Sequence, residues 1–183
     1  MTEQDIVTLI EKDEWMMQVL KIAEGLDLPD WVIGAGFLRN KVWDYLHKYS
    51  EPNRTDVDLV YFDPNGNDYD ADKKLSYKKK KETDIDFEIV NQIYTHTWRN
   101  MTPNTSTAQS ISTWSDTATC IGVTIKKGKV KLVTPLGIED LVNLVVRPNP
   151  TIIDDIQNFD RRIKEKKWLE KLPRLKIKKL PTK

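Results

Sequence analysis

Residues 56–62 read DVDLVYF, in which Asp56 and Asp58 alternate with apolar residues at the start of an apolar run. The run is rich in residues that favour strands, so it predicts a strand. A strand turns every second side chain to the same face, so the two aspartates point together with their Cα atoms roughly 6.5 to 7 Å apart. Two carboxylates at this spacing can share magnesium ions, which prefer oxygen ligands.

A small-residue turn, Gly34-Ala35-Gly36, precedes these aspartates. It follows the short apolar strand Trp31–Ile33 and opens a segment, 37–46, whose apolar residues have helical spacing. Glycine lacks a Cβ atom, so the turn can approach a phosphate closely, and the helix aims free N–H groups and its positive dipole end at that phosphate. Arg39 and Asn40, one turn into the helix, could add a charge and a side-chain hydrogen bond. The turn therefore predicts a phosphate site beside the carboxylates.

A third acid, Glu88, lies in the alternating segment Ile85–Val90, which predicts a neighbouring strand. Asp84 and Asp86 share the face of Glu88 by the period of two, so either could take its place.

Polar and aromatic residues outside these strands are secondary candidates. Asn91 and Gln92 end the Glu88 strand, where their amides could bind a ribose or base, or could satisfy buried backbone groups. A histidine is more often packed or hydrogen-bonded than catalytic, so His96 ranks below the acids. Trp168, amid lysines and arginines, could stack on a base, but anchoring of a last helix in the core is the favoured interpretation.

The remaining segments complete a prediction of an α+β fold. Three of them are predicted helices: an amphipathic helix over Ile6–Ala23, a short helix around Ala108–Trp114, and a last helix from Thr151 through Ile152, Ile153, Ile156, Phe159 and Ile163 to Trp168. Cys120–Ile125 and Lys129–Val133 predict a hairpin, and the apolar segment Ile138–Val146 has a helix start at Glu139-Asp140. The segment Tyr69–Glu82 is polar, and its lysine run 78–81 is interpreted as solvated surface. We expect a short mixed sheet that contains the Trp31, Asp58 and Glu88 strands, packed by helices, with a C-terminal hairpin and helices. No repeat or Gly/Ser linker divides the chain, so we expect one domain over 1–183, with its core at about 28–150 and a C-terminal helix and basic tail at 151–183.

The composition indicates a globular protein without a disulfide or a membrane span. The 183 residues are 39% hydrophobic and 31% charged, which is typical of soluble globular proteins. The net charge of +1 conceals +9 on residues 161–183, which could attract a polyphosphate or nucleic acid or could form a solvated helix face and tail. Cys120 is the one cysteine, so no intrachain disulfide or cysteine metal cluster can form. No segment approaches the ~18 uncharged residues of a membrane span and the N-terminus is acidic, so we expect a cytoplasmic location and no membrane partner.

Several motifs, in this order, resemble a family of small bacterial proteins assigned to the nucleotidyltransferase fold. They are WVIGAGFLRNKVWDYLH at 31–47, DVDLVYFD at 56–63, FEIVNQIYTHTW at 87–98, TATCIGV at 117–123, TPLGIEDLVNLVVRPNP at 134–150 and FDRRIKEKKW at 159–168. The resemblance covers about residues 30–172. The broader superfamily is marked by a Gly-rich turn that opens a helix, a strand with two acids one residue apart, and a third acid on a neighbouring strand. These marks match Gly34 and Gly36, Asp56 and Asp58, and Glu88.

The resemblance implies a Mg²⁺-dependent enzyme that moves a nucleoside monophosphate from an NTP to a hydroxyl and releases pyrophosphate. Two Mg²⁺ ions would neutralise the triphosphate and align the attacking and leaving oxygens. Asp56 and Asp58 would bridge both ions, while Glu88 would bind the ion at the acceptor hydroxyl and could help to deprotonate it. The nucleotide would be bound by Gly34, Ala35, Gly36, Arg39 and Asn40. Members of the superfamily modify antibiotics, proteins, tRNA ends and other nucleotides, so the acceptor stays open.

Phe37 stands where many members of the superfamily place a phosphate-binding serine. This departure supports an alternative, a catalytically inactive module of the same fold that binds a nucleotide or a partner. A third hypothesis is a nucleic-acid interaction through the basic end, with an affinity that falls steeply as salt is raised.

Overall fold

A mixed sheet of five strands lies at the centre of the computed structural model, which describes residues 1–66, 68–99, 101–151 and 156–178. The strands are Val32–Gly34 (β1), Val57–Tyr61 (β2), Phe87–Asn91 (β3), Gly122–Lys126 (β4) and Lys129–Val133 (β5). Their spatial order is β3-β2-β1-β4-β5. β2 and β3 pair in parallel, whereas the other neighbouring strands are antiparallel. The predicted hairpin, β4 and β5, therefore belongs to this central sheet and extends it beyond β1.

Helices surround the sheet, which confirms the predicted α+β class. They are Glu3–Glu11 (α1), Glu14–Glu24 (α2), Gly36–His47 (α3), Tyr69–Thr83 (α4), Thr107–Ile111 (α5), Glu139–Val142 (α6), Ile156–Lys166 (α7) and Trp168–Lys171 (α8), with a 3₁₀ helix at Thr95–Arg99. A second, parallel sheet pairs Val145–Val146 (β6) with Lys176–Ile177 (β7). Within the described ranges, no helix has the length and apolar character needed to cross a membrane.

The two faces of the sheet have different roles. Val57, Leu59 and Tyr61 of β2 point into the main core, which helices α1, α2 and α3 cover. Val60 points the other way and joins a smaller apolar cluster with Ile111 of α5. By the same alternation Asp58 lies on this second face. Asp58 thus lies on the side of the sheet that faces away from the main core.

The predicted first helix is in fact two helices, α1 and α2, and Asp13 is the reason for the break. The backbone of Asp13 is extended, and its carboxylate accepts a hydrogen bond from the Met16 N–H at 3.0 Å, which caps α2. The other carboxylate oxygen lies 2.5 Å from Nζ of Lys41 on α3. The apolar spacing continues across Asp13, so periodicity predicted a single helix. Periodicity does not detect a helix cap, which is a local hydrogen bond.

We expect Asp13→Ala to lower the free energy of unfolding by about 1 to 2 kcal/mol, because it removes both the cap and a partly buried ion pair. Asp13→Asn keeps an oxygen at the cap and removes only the charge, so its loss should be about half as large. Urea unfolding followed by circular dichroism measures both variants. An unchanged midpoint for Asp13→Ala would contradict this role.

Helix α4 occupies the polar segment Tyr69–Glu82. Most of its lysines are exposed, as predicted, but Asp72 is buried and Ser76 faces β3, the edge strand of the sheet. Asp72 accepts a hydrogen bond from the Asn91 N–H at 2.8 Å, and Ser76 Oγ accepts one from the Ile89 N–H at 2.9 Å. Since an unpaired edge strand invites association with other chains, α4 protects this edge with side-chain acceptors.

The C-terminal segment turns more often than its apolar pattern predicts. The helix that starts at Glu139 ends at Val142, and β6 follows it. The predicted last helix is divided at Lys167, whose φ is 50°. Trp168, at the start of α8, is buried and packs edge to face on Trp43 of α3, with the ring centroids 5.5 Å apart. This contact confirms Trp168 as a core anchor. Ile152 and Ile153 of the predicted helix lie outside the described residues.

Candidate functional site

Three carboxylates converge at the parallel pair of strands. Asp58 on β2 lies in register with Glu88 on β3, and Asp56 immediately precedes β2. Each side chain offers one oxygen atom, and these three atoms all lie within 4.8 Å of one another. The parallel register thus brings together acids that are thirty residues apart in the sequence. Three oxygen donors in this arrangement fit Mg²⁺, which commonly keeps several of its waters as further ligands.

The electrostatics of the cluster favour a bound cation. Burial, reinforced by the charges of Asp56 and Glu88, raises the pKa of Asp58 to about 7, although Arg39 and Arg162 oppose the shift. Burial also raises the pKa of Glu88, and the charge of Asp56 adds to the effect. Like charges held this close repel one another, and a divalent ion between them would relieve the repulsion.

A cleft of about 380 Å³ opens beside the carboxylates. Its walls include the start of α3, the ends of β2 and β3, the 3₁₀ helix, α5 and α7. Asp56, Asp58 and Glu88 line it together with Ala35, Gly36 and Arg39 of the predicted phosphate turn. The structure therefore places the predicted carboxylate and phosphate residues around one space that is large enough for a small-molecule ligand.

The small-residue turn is constrained by its protein neighbours. Ala35 has φ 51° and ψ −126°, a conformation that glycine adopts most easily. A Cβ on Gly34 would lie 2.6 Å from the Trp114 ring, and one on Gly36 would clash with the Thr55 hydroxyl. Helix α3 has no side-chain hydrogen bond at its N-cap. Close packing explains both glycines, and the uncapped N–H groups of α3 lie beside the cleft.

Arg39 is almost fully buried, at 3% exposure, behind the cleft. Its Nη1 donates to Thr119 Oγ1 at 2.8 Å, and that hydroxyl donates in turn to Asp116 at 2.7 Å. The guanidinium also lies over the rings of Trp43 and Trp168, 5.2 and 4.8 Å from their centroids. Burial lowers the pKa of Arg39 to about 10, and the charge of Asp116 offsets part of this effect. Arg39 therefore stays charged at neutral pH.

Several of the predicted candidates do not line the cleft, and Gly34 of the turn is one of them. Asn40 is buried, where its side chain bonds Arg39 and the Asn53 carbonyl, and Asn91 bonds the backbone of Asp63 and Gly66. Asp84 is the C-cap of α4, with φ 59°. Asp86 forms an exposed ion pair with Lys80 at 2.6 Å. For Asn91 the structure matches the alternative of satisfying backbone groups.

Gln92 and His96 do line the cleft. The Gln92 amide donates to the Val90 carbonyl at 3.0 Å and accepts from Ser110 Oγ at 2.5 Å, so its orientation is fixed. Nδ1 of His96 is buried and has no hydrogen-bond partner among the described residues. Gln92 and His96 are thus the secondary candidates that share the cleft with the acids.

Sequence reasoning missed several residues of the cleft. These are Thr55, Thr95, Asn104, Ser110, Thr113, Trp114, Ser115, Thr119, Arg162 and Lys166. Most belong to segments without regular periodicity, in which the sequence gives no signal of which way a side chain points. The basic C-terminal end was the one available signal for Arg162 and Lys166.

Comparison with protein families gives the class of this site. The family model described as nucleotidyltransferase matches residues 21–177, which is most of the chain. The chain belongs to this nucleotidyltransferase family. The match includes the turn, all three carboxylates and α7. A comparison with curated proteins gave no match.

Solved structures with the same fold include CCA-adding enzymes. An NMR structure described as revealing a CCA-adding enzyme head domain is 28% identical, with a TM-score of 0.88, and the alignment covers 98% of this chain and 97% of that one. A CCA-adding enzyme bound to CTP is 13% identical with a TM-score of 0.61, covering 97% of this chain and 43% of that one. The Thermotoga maritima CCA-adding enzyme with tRNA is 14% identical with a TM-score of 0.59, covering 97% and 42%. The chain spans about two fifths of these two larger enzymes, which show the nucleotidyltransferase fold alone.

Proposed function

We propose that the chain is a Mg²⁺-dependent nucleotidyltransferase that moves a nucleoside monophosphate from an NTP to an acceptor hydroxyl. The observation that carries this proposal is the convergence of Asp56, Asp58 and Glu88, within 4.8 Å, at a cleft that the phosphate turn also lines. Two bound Mg²⁺ ions would supply charge neutralisation and alignment of the reacting oxygens. Asp56, Asp58 and Glu88 are the residues that would hold them.

The proposed transfer forms one bond to phosphorus and breaks another. The acceptor oxygen forms a bond to the α-phosphorus, and the bond from that phosphorus to the bridging oxygen breaks. The bridging oxygen leaves on pyrophosphate with the bonding electrons, while the hydroxyl proton passes to Glu88 or to water. The raised pKa of Glu88 suits a proton acceptor that later releases its proton.

Phe37 supports the second candidate, a nucleotide-binding module without turnover. Its ring packs in the core against Trp15, with the centroids 5.5 Å apart, so this position offers no hydroxyl to a phosphate. The Thr55 hydroxyl, however, lies beside Gly36 and lines the cleft. Thr55 and the first N–H groups of α3 could take over the role of the missing serine.

A titration of Mg²⁺ and each NTP tests the proposal. We expect wild type to bind NTP in a Mg²⁺-dependent way by calorimetry, and Asp56→Ala/Asp58→Ala to lose that binding. Wild type should also release pyrophosphate once a suitable hydroxyl is supplied, and an RNA 3′ end is the first acceptor to try, because the similar structures include CCA-adding enzymes. NTP binding that persists in the double variant, without turnover in wild type, would favour the non-catalytic module.

A truncation that tests nucleic-acid binding by the basic end must leave the core intact. Leu172 and Leu175 are buried, and Lys176 lies in β7, so removal of 172–183 would also damage the core. A chain that ends at Lys178 tests the tail by itself. RNA affinity that falls with salt and with this truncation would support the third hypothesis.

A further inference from the structure

The wall of the cleft that α7 supplies is cationic. Arg162 and Lys166 are four residues apart on this helix, so they lie on the same side of it, and both line the cleft. Arg39 lies behind them at the start of α3. One cleft therefore has three carboxylates on one wall and three cationic side chains on others.

Among the described residues, Asp116 is the one carboxylate that forms an ion pair with the cationic wall. Asp116, at 0% exposure, is shared: it lies 3.5 Å from Nε of Arg162 and connects to Arg39 through Thr119. Nε of Arg39 and Nε of Arg162 are both buried without a hydrogen-bond partner in the described part of the chain. The hydrogen bonds of the described residues thus leave part of the donor capacity of both guanidiniums unused, which favours an anion near this wall.

Trp168 fixes α7 relative to the phosphate turn. The Arg39 and Arg162 guanidiniums lie 4.8 and 5.5 Å from the centroid of its ring, and Trp43 of α3 packs against its edge. Cation–π contacts of this kind hold a guanidinium at a defined height over the ring. The position of Arg162 is thus set by packing before any ligand binds.

We propose that Arg162 and Lys166 form a polyphosphate site, which binds the β- and γ-phosphates of the NTP and holds pyrophosphate as it leaves. This inference rests on the proposed function. With the α-phosphate at the carboxylates, the terminal phosphates would extend to the cationic wall. There a guanidinium and an ammonium supply donors to the charge that develops on the leaving bridging oxygen.

Pyrophosphate and tripolyphosphate, with Mg²⁺, are the probes that test the site by calorimetry. We expect Arg162→Gln and Lys166→Gln each to weaken polyphosphate binding at least about tenfold, the effect of losing one charge-assisted contact. The matched control is Lys164→Gln, which removes the same charge from an exposed position of α7 that does not line the cleft. Binding by this control should stay within about twofold of wild type, since Lys164 does not line the cleft.

Lys166→Gln decides the question if Arg162→Gln fails to fold, since Lys166 is exposed. Polyphosphate binding by Lys166→Gln and folded Arg162→Gln that equals the Lys164→Gln control would overturn the inference. If wild type still turned over NTP in that case, the proposed function would stand without this site. If polyphosphate binding depended on Arg162 and Lys166 but no NTP turnover occurred, the site would stand and the catalytic proposal would fail.

Discussion

Asp58→Asn is expected to abolish NTP turnover and, at the same time, to stabilise the metal-free protein at pH 8. The substitution keeps the shape of the side chain but removes a carboxylate that would hold Mg²⁺, so turnover should fall on the order of a thousandfold or more. The same carboxylate is largely buried and lies close to Asp56 and Glu88, so its charge destabilises the folded chain when no cation is present.

The direction in which stability changes with pH follows from the pKa of Asp58, which rises from an ordinary value of 3.8 to about 7 on folding. Between these values the folded state holds a proton that the unfolded state has lost, so the stability of the apo protein falls as the pH rises from about 4 to about 7. A difference of about three pKa units corresponds to at most about 4 kcal/mol. Urea unfolding at pH 5 and pH 8, without and with Mg²⁺, measures the effect.

Wild type should be less stable at pH 8 than at pH 5, and Mg²⁺ should restore its stability. Asp58→Asn should show a smaller pH dependence and a weaker response to Mg²⁺. Asp86→Asn is the matched control, because Asp86 is exposed, pairs with Lys80 and does not line the cleft. It should change stability by less than about 1 kcal/mol and leave turnover almost intact. Equal losses of turnover in the two variants would contradict the assignment of the site to Asp58.

The acids could be predicted from the sequence because their geometry depends on local periodicity. Asp56 and Asp58 share one strand face, and the alternation around Glu88 marks a second strand. The pairing of these strands in parallel register, with Asp58 opposite Glu88, is a tertiary fact, and it separates Glu88 from Asp86 as a candidate. The sequence alone does not show that the two strands are neighbours. That expectation came from the family resemblance, in which the motifs occur in the same order along the chain.

The rest of the site could not be predicted, because long-range packing determines it. Arg162 reaches the cleft from a helix more than seventy residues beyond Glu88, and nothing in its local pattern distinguishes it from Arg161 or Lys164. In the turn, the strained position is Ala35, whereas both glycines are required by neighbouring side chains. The sequence marked the turn as special, and the structure adds a packing reason for its glycines that the sequence could not show.

Asp116→Ala is expected to be among the most damaging substitutions in the chain. Asp116 is fully buried, accepts hydrogen bonds from the N–H and hydroxyl of Thr119, and is the shared counter-ion of Arg39 and Arg162. Its removal leaves the buried Arg39 charge uncompensated, which should lower the free energy of unfolding by about 3 to 5 kcal/mol. Asp70→Ala breaks an exposed pair with Lys73 and should cost no more than about 1 kcal/mol.

A double-mutant cycle of Asp116 and Arg39 measures how much of the lost stability comes from the uncompensated Arg39 charge and how much from lost packing. If the damage comes from the uncompensated guanidinium, Arg39→Met in the Asp116→Ala background should recover part of the lost stability, whereas Arg39→Met alone should destabilise the chain. Chemical unfolding of the four proteins gives the coupling energy directly. A coupling energy near zero would mean that Asp116 acts only through Thr119 and the local backbone. A coupling of several kcal/mol would show that the cationic wall of the cleft depends on a single buried carboxylate.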